Sequence, residues 1–317
     1  MSRFLARICF LAAEPRLIVE LERMAASSQG RSINPMSIAL GSRSLAKAVL
    51  KIGGTLGIFV WCLFPFVWLI DTSLKTNDLA LNSPNLFEGP IGLNNYLSVV
   101  QQGFIYNLRN SFVVAGTTTA LCIGIGSLGA YAVARLRLRR KAFLLSGVLA
   151  LSLFPPVALV PPLYEVWRSA DLLNTYQGMI VPYVAFTLPI TIFILTNFFA
   201  ALPVELEEQA LVDGASHLKA FYRIIVPLAA PGLASAAILV FVYAWNEFLL
   251  ASTFAPRDLD VQTVPVAIAS FTGSVQYQRP IGTITAACVI VTIPMILLVL
   301  LFQRWIVAGL TAGGVKG

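Results

Sequence analysis

Six stretches of the chain are apolar without a break: Ile52–Ile70, Phe112–Ala134, Phe143–Leu163, Gly178–Ala201, Gly232–Phe254 and Thr283–Phe302. Together they hold 130 residues and one charge, Glu247. At helical rise each stretch reaches roughly 30 Å, the thickness of a bilayer's hydrocarbon core. Strands of a membrane barrel would be about half as long and would alternate apolar with polar positions, which these do not. Only helices and closed barrels satisfy their own backbone in lipid. The pattern therefore predicts an all-α integral membrane protein with six transmembrane helices. Composition agrees: 57% of residues are hydrophobic and 12% are charged, against about 25% charged in soluble domains.

The basic residues between the stretches set the orientation. The segments before the first stretch, between the second and third, between the fourth and fifth, and after the sixth carry 17 Lys and Arg. The opposite side carries 5: Lys75, Arg109, Arg168, Arg257 and Arg279. The positive-inside rule places both termini in the cytoplasm. The net charge of +7 is then a matter of topology and anionic lipid, and basic residues split among short loops make no nucleic-acid surface. Cys9, Cys62, Cys122 and Cys288 lack metal-ligand or redox spacing and read as small apolar packing residues.

The first 45 residues stand apart. Phe4–Leu21 is interrupted by Arg7, Glu14, Pro15, Arg16 and Glu20, so it makes no span, and it lacks the features of a cleaved signal peptide. A surface-lying amphipathic helix and a start codon placed too early are both open readings. Ala25–Ser44 is rich in Ser and Gly and reads as a loose linker. The division expected is a cytoplasmic extension at 1–48, a transmembrane domain at 49–308 and a cytoplasmic tail at 309–317. In the outer loop, Asn82-Ser83-Pro84-Asn85 and Glu88-Gly89-Pro90 signal turns, and a short amphipathic helix is expected near Asn95–Gln102. Prolines at 155, 156, 161, 162, 182, 189 and 294 predict bends in the third, fourth and sixth spans.

The most informative stretch is cytoplasmic, residues 202–227. It reads as helix, turn, helix. Pro203 suits a first helical position, and Glu205, Glu207 and Glu208 complement the positive end of the helix dipole. Gly214 falls where a helix closes in the left-handed region, and Ser216 can cap the next helix. Leu218, Phe221, Tyr222 and Ile225 are expected on one face. Pro227 and Pro231 end the element before the fifth span. A short helix held this way across the membrane surface can pass the motion of a soluble partner to two spans at once.

The spacing Glu208-x-Ala210-x-x-x-Gly214, then nine residues to Ile224-x-Val226-Pro227, resembles the EAA loop of binding-protein-dependent ABC importer permeases. Gln209 and Val226 depart mildly from the family's Ala and Leu. Phe64-Pro65-Phe66-Val67-Trp68 with Thr72-Ser73-Leu74-Lys75 is similar to the first span of maltose-type permeases, as are Asn110-Ser111 and Ala130–Arg135 at the ends of the second. Trp245-Asn246-Glu247-Phe248 and the terminal Gly309–Gly317 are similar to the carbohydrate branch. The resemblance covers most of Ile52–Gly317 and not residues 1–45. It implies a six-helix permease bundle in a bacterial cytoplasmic membrane whose loop docks into an ATP-binding subunit. Glu208, Ala210, Asp213, Gly214 and His217 are the residues implied for coupling. The implied partners are a second permease subunit, two ATP-binding subunits and an extracytoplasmic solute-binding protein, with a sugar or related polyol as cargo. The tail is implied to enter the interface between the ATPase subunits; on composition alone it reads as a frayed end.

Candidate chemistry beyond this is sparse. There is no Gly-x4-Gly-Lys-Ser/Thr loop, so ATP and Mg are expected on partner subunits and no cofactor on this chain. No His/Cys/Asp cluster has the spacing for metal or nucleophilic catalysis, so the chain is not expected to be an enzyme. An ionisable group inside a span is a functional site by default, which marks Glu247, flanked by Trp245 and Asn246, as a candidate solute path. A hydrogen bond to a neighbouring helix is the other reading of Glu247. Arg135 and the basic run after it read as a topology anchor, and Tyr131 as an interfacial one. The alternative to an ATP-driven importer is a self-sufficient secondary transporter, for which inverted repeats and several intramembrane charges are expected.

Overall fold

The computed structural model describes residues 35–83, 85–136, 140–152, 154–256, 260–271 and 280–314. The readings of the first 34 residues, and the basic residues Arg137, Arg139, Arg257, Arg279 and Lys316, lie outside them. The described segments are helical with connecting turns: α1 (Pro35–Leu74), α2 (Asn77–Asn82), α3 (Asn94–Gln101), α4 (Phe104–Arg135), α5 (Lys141–Ser152), α6 (Pro156–Ser169), α7 (Tyr176–Ala201) and α8 (Glu205–Val212). Then follow α9 (His217–Ala220), a π-helical turn (Phe221–Ile225), α10 (Val226–Leu228), α11 (Ala230–Asn246), α12 (Leu249–Phe254), α13 (Val264–Ser270) and α14 (Ile281–Gly314). Packing divides the chain within α1, into Met1–Phe66 and Val67–Gly317.

Among the described residues, four helices are long and apolar enough to cross a membrane: Leu50–Leu74, Phe104–Arg135, Tyr176–Ala201 and Ile281–Trp305. A fifth arises if His217–Leu228 and Ala230–Asn246, bent by 78° at their junction, count as one. Six continuous spans were expected, and two of the six apolar runs prove to be broken. The third run is interrupted between Ser152 and Pro156. Pro155 there is extended, with φ −66° and ψ 120°, because a residue before proline is driven out of the helical region. The fifth run stops at Asn246 and resumes at Leu249, with Glu247 extended at φ −68° and ψ 126°. No proline lies at that break. Two helices run further than expected: α1 is already helical at Pro35, within the stretch read as a linker, and α14 continues through Gly314.

The larger unit is built on α4 lying along α7, with α11 closing on both and on α14. Small residues permit the approach. A Cβ on Gly126 would come within 2.9 Å of Thr191 Cγ2, and one on Gly232 within 2.3 Å of the Phe198 ring. Three hydroxyls inside the spans turn back on their own helix: Thr119, Thr187 and Thr191 donate to the carbonyls of Ala115, Tyr183 and Thr187 at 2.7–2.8 Å. They are thereby satisfied without water.

At the end of α4 opposite Arg135, the loops are fixed by buried amides. Asn107 and Asn110 each donate to the Gln262 carbonyl at 3.0 Å, and Tyr176 donates to Asn110 Oδ1 at 2.7 Å. Ser111 Oγ accepts the amide of Val264 at the start of α13. The Asn110-Ser111 pair that the sequence marked at the head of the second span is thus a clamp on the 260–264 segment. In the signal at 88–90 Gly89 takes φ +86°, the signal at 82–85 includes Pro84, outside the described residues, and the short helix near Asn95 is present as α3.

Candidate functional site

Residues 202–228 form the expected helix, turn, helix between α7 and α11. The closure of α8 is a Schellman turn. Gly214 takes φ +81°. Its amide donates to Leu211 O at 3.1 Å, and the Ala215 amide to Ala210 O at 2.9 Å. Those two bonds satisfy carbonyls that a helix end leaves open. Ser216 Oγ then caps α9 by accepting the Lys219 amide at 3.3 Å. Nothing lies within 4 Å of a Cβ built on Gly214, so the requirement for glycine there is conformational.

The expected single apolar face divides in two. Phe221 and Ile225 are buried against Leu195, Phe199 and Ala130, while Leu218 and Tyr222 are exposed. Leu218/Tyr222 and Phe221/Ile225 are each four residues apart and form adjacent stripes, and the bundle covers only one of them. Val212, 87% exposed, stands before the turn, and the exposed Leu218 and Tyr222 follow it.

The sequence-marked residues sort by exposure. Glu208, Asp213, Gly214 and His217 are exposed, and Ala210 is buried. Glu207, next to Glu208, is 5% exposed and meets α4. Its Oε1 accepts the hydroxyl of Tyr131. Arg135 Nε stands 3.2 Å from Glu207 Oε2. No N–H of that pair is aimed for a hydrogen bond, so the attraction is ionic, while Arg135 Nη2 donates to Leu202 O at 3.1 Å. His217 Nδ1, on a largely exposed ring, lies 3.5 Å from Glu207 Oε1. Tyr131 and Arg135 are therefore more than interfacial anchors, a correction to the reading from sequence. Their only signal was spacing: they lie four apart on one helix face, which a carboxylate 72 residues away gives no reason to expect.

The second marked cluster lies at the break after α11. Glu247 caps α12: Oε1 accepts the Leu250 amide at 2.9 Å, and Oε2 accepts the Ala251 amide at 3.1 Å and the Tyr183 hydroxyl at 2.6 Å. A carboxylate at a helix start is favoured by the dipole, and here it satisfies two open amides. Trp245 is 2% exposed. It stacks on Phe241 at 5.6 Å and meets Phe112 edge-on at 4.8 Å. Asn246 is exposed, with Nδ2 donating to Val242 O. Phe248, on the far side of the break, is exposed while Trp245 is buried. Tyr183 is the partner that sequence reasoning missed, since it is one aromatic in an apolar run. Among the described residues no three His, Cys, Asp or Glu side chains gather as a metal site.

Comparison with known proteins follows the same geometry. The profile of the family described as "Binding-protein-dependent transport system inner membrane component" matches residues 123–312, which takes in the loop, the break and most of α14. The trehalose transport system permease protein SugB of Mycobacterium tuberculosis is 43% identical over 81% of this chain and 93% of its own length. The trehalose/maltose transport system permease protein MalG of Thermococcus litoralis is 43% identical over 86% of this chain and 98% of its own. Among solved structures, a chain of a bacterial ABC transporter involved in import of the acidic polysaccharide alginate superposes with a TM-score of 0.66 at 20% identity, over 87% of this chain and 99% of that one. The turn with its outward glutamate, the helices behind it and the matched profile agree, and the chain belongs to the binding-protein-dependent transport system inner membrane component family.

Proposed function

We propose that this chain is the membrane-spanning permease subunit of an ATP-driven importer for a sugar or related polyol, with trehalose and maltose as the first cargoes to try. It works by alternating access. Two separate ATP-binding subunits carry ATP and Mg, a second permease supplies the other half of the path, and an extracytoplasmic binding protein delivers solute. Both termini lie in the cytoplasm. The observation that carries the reading is the turn at Gly214: Glu208, Asp213 and His217 around it are exposed, as are the apolar Val212, Leu218 and Tyr222, and the helix that follows is bent 78° from α11. Ala210 packs beneath them. Such a surface offers a soluble subunit both charge-assisted and apolar contacts. Family membership replaces the ion-driven alternative.

Trp245, Asn246 and Glu247 belong to the solute path in this proposal, each differently. Glu247 fixes the break, Asn246 exposes an amide, and the aromatic stack under Trp245 sets the shape. An amide beside aromatic surface suits polyols, which offer hydroxyls and apolar ring faces. The test is reconstitution of the four-part complex in liposomes with its binding protein. Uptake of labelled trehalose or maltose that requires both ATP and binding protein is expected. Uptake driven by an ion gradient without the ATP-binding subunits refutes the proposal. For orientation, cysteines at Ser216 and Thr311 should escape an impermeant thiol reagent in intact cells while one at Asn82 reacts. Labelling at Ser216 from outside reverses the topology.

A further inference from the structure

Two adjacent glutamates on α8 face opposite ways. Glu208 is exposed, whereas the Glu207 side chain is 7% exposed and held by three side chains from two elements. Tyr131 and Arg135 come from the last turn of α4, and His217 opens α9. Tyr131 also packs its ring on Phe221 of the π-helical turn, at 4.9 Å between centroids. Phe221 in turn meets Phe199 of α7 edge-on at 6.1 Å. Both halves of the loop are thus tied to the same turn of α4, one through a carboxylate and the other through a ring. Arg135 adds a third tie through the Leu202 carbonyl, where α7 ends.

We propose that the inner end of α4 and the loop at 202–228 move as one body, and that Glu207 is the positioning residue that carries displacement of the loop into α4. This rests on the proposed function, since the displacement originates in the ATP-binding subunits. It divides the work of the two glutamates: Glu208 meets the partner and Glu207 meets α4. Buried charge suits this role. An ion pair removed from water resists separation, because each partner left alone is uncompensated. A purely apolar contact could slide. The ionic attraction between Arg135 and Glu207 tolerates small changes of angle, while the Tyr131 hydroxyl and the Leu202 carbonyl fix the distance.

The test uses the complete importer in lipid nanodiscs. Spin labels at the exposed positions Leu136 and Leu218 report the distance from α4 to the loop, and labels at Leu218 and Leu301 report the loop against α14. Each is read without nucleotide and after trapping with ATP and vanadate. The first distance should change by less than one helical turn, about 5 Å, while the second changes. Removing one charge alone would leave the other buried and can prevent folding, so the key variant is Glu207→Gln with Arg135→Gln. In it the first distance distribution should widen on trapping. Binding-protein-stimulated ATPase should fall about tenfold, within the range seen when members of one buried network are uncoupled. The inference is overturned if α4 and the loop separate in the unaltered protein, if the loop moves against neither helix, or if the double variant keeps both its distances and its stimulation. Glu208→Gln distinguishes the two levels. If it lowers stimulation while the double variant does not, this inference fails and the proposed coupling surface stands. If the unaltered importer shows no stimulation by binding protein, the proposed function itself fails.

Discussion

Gly214 offers a quantitative test of the loop, because its environment isolates one cause. With φ at +81° and open space around a built Cβ, a side chain there meets the backbone penalty of the left-handed region and no clash. That penalty is about 1–2 kcal/mol for an L-residue, and at 1.4 kcal/mol per factor of ten it raises the population of an opened turn by about 5- to 30-fold. Size should matter little: Gly214→Ala and Gly214→Leu should fall together. Gly214→Asn should be milder, since asparagine tolerates this region, and Gly214→Val worse, since a β-branched residue does not. Two assays read the same population. Trypsin cleavage at the exposed Lys219 and Arg223 should accelerate by that factor when opening is fast, and binding-protein-stimulated ATPase should decline in the same rank order. An Asn variant as impaired as Val, or a Leu variant far worse than Ala, refutes the conformational argument and points to a contact made by a partner.

Other substitutions separate packing from polarity. Gly232→Ala places a methyl 2.3 Å from the Phe198 ring and should destabilise the bundle by about 1–3 kcal/mol through overpacking; Gly232→Ala combined with Phe198→Leu should recover part of it, read as melting temperature of the purified complex in detergent. Glu247→Ala leaves two amides and a tyrosine hydroxyl without an acceptor, at about 1–3 kcal/mol for each group that finds no water, so it should reduce complex yield more than Glu247→Gln, which keeps one acceptor oxygen. Tyr183→Phe should be milder than either, and a Glu247→Ala complex of normal yield with altered apparent affinity for trehalose would give the carboxylate to the solute instead. Truncation after Ala308 should leave insertion intact and lower coupled ATPase; unchanged transport in that variant removes the tail from the mechanism.

The pattern of apolar runs placed four of the six expected spans, because hydropathy is local and additive along a helix. Its failures are also local. Two runs look continuous by composition and break in space: at Pro155-Pro156, where the signal was present as proline, and at Glu247, where no helix breaker exists. The loop was the most legible part, since Gly214 and Ser216 act through their own backbone neighbours. What the sequence did not disclose is pairing across distance. Glu207 and Glu208 are indistinguishable by type and neighbourhood, and one is buried because Tyr131 and Arg135 happen to stand opposite it. In the same way, four apolar residues at helical spacing could not tell which pair the bundle would cover.

The two inward carboxylates share a logic that bears on how charge is read in membrane proteins. Glu247 was marked as a candidate for solute contact because a charge in a span is costly unless paired or wet. The structure meets that cost with donors from the chain: both oxygens are engaged by Leu250, Ala251 and Tyr183. The carboxylate makes the helix break tolerable, since the amides freed by the break need an acceptor that lipid cannot supply. Glu207 does the corresponding work in the loop, where it accepts the Tyr131 hydroxyl and balances the charge of the Arg135 guanidinium. The break and the loop each have a carboxylate at their turning point, half-buried for Glu247 and buried for Glu207. The residues beside them, Asn246 and Glu208, are exposed. In each pair the inward carboxylate is engaged by the chain's own donors and its neighbour faces outward.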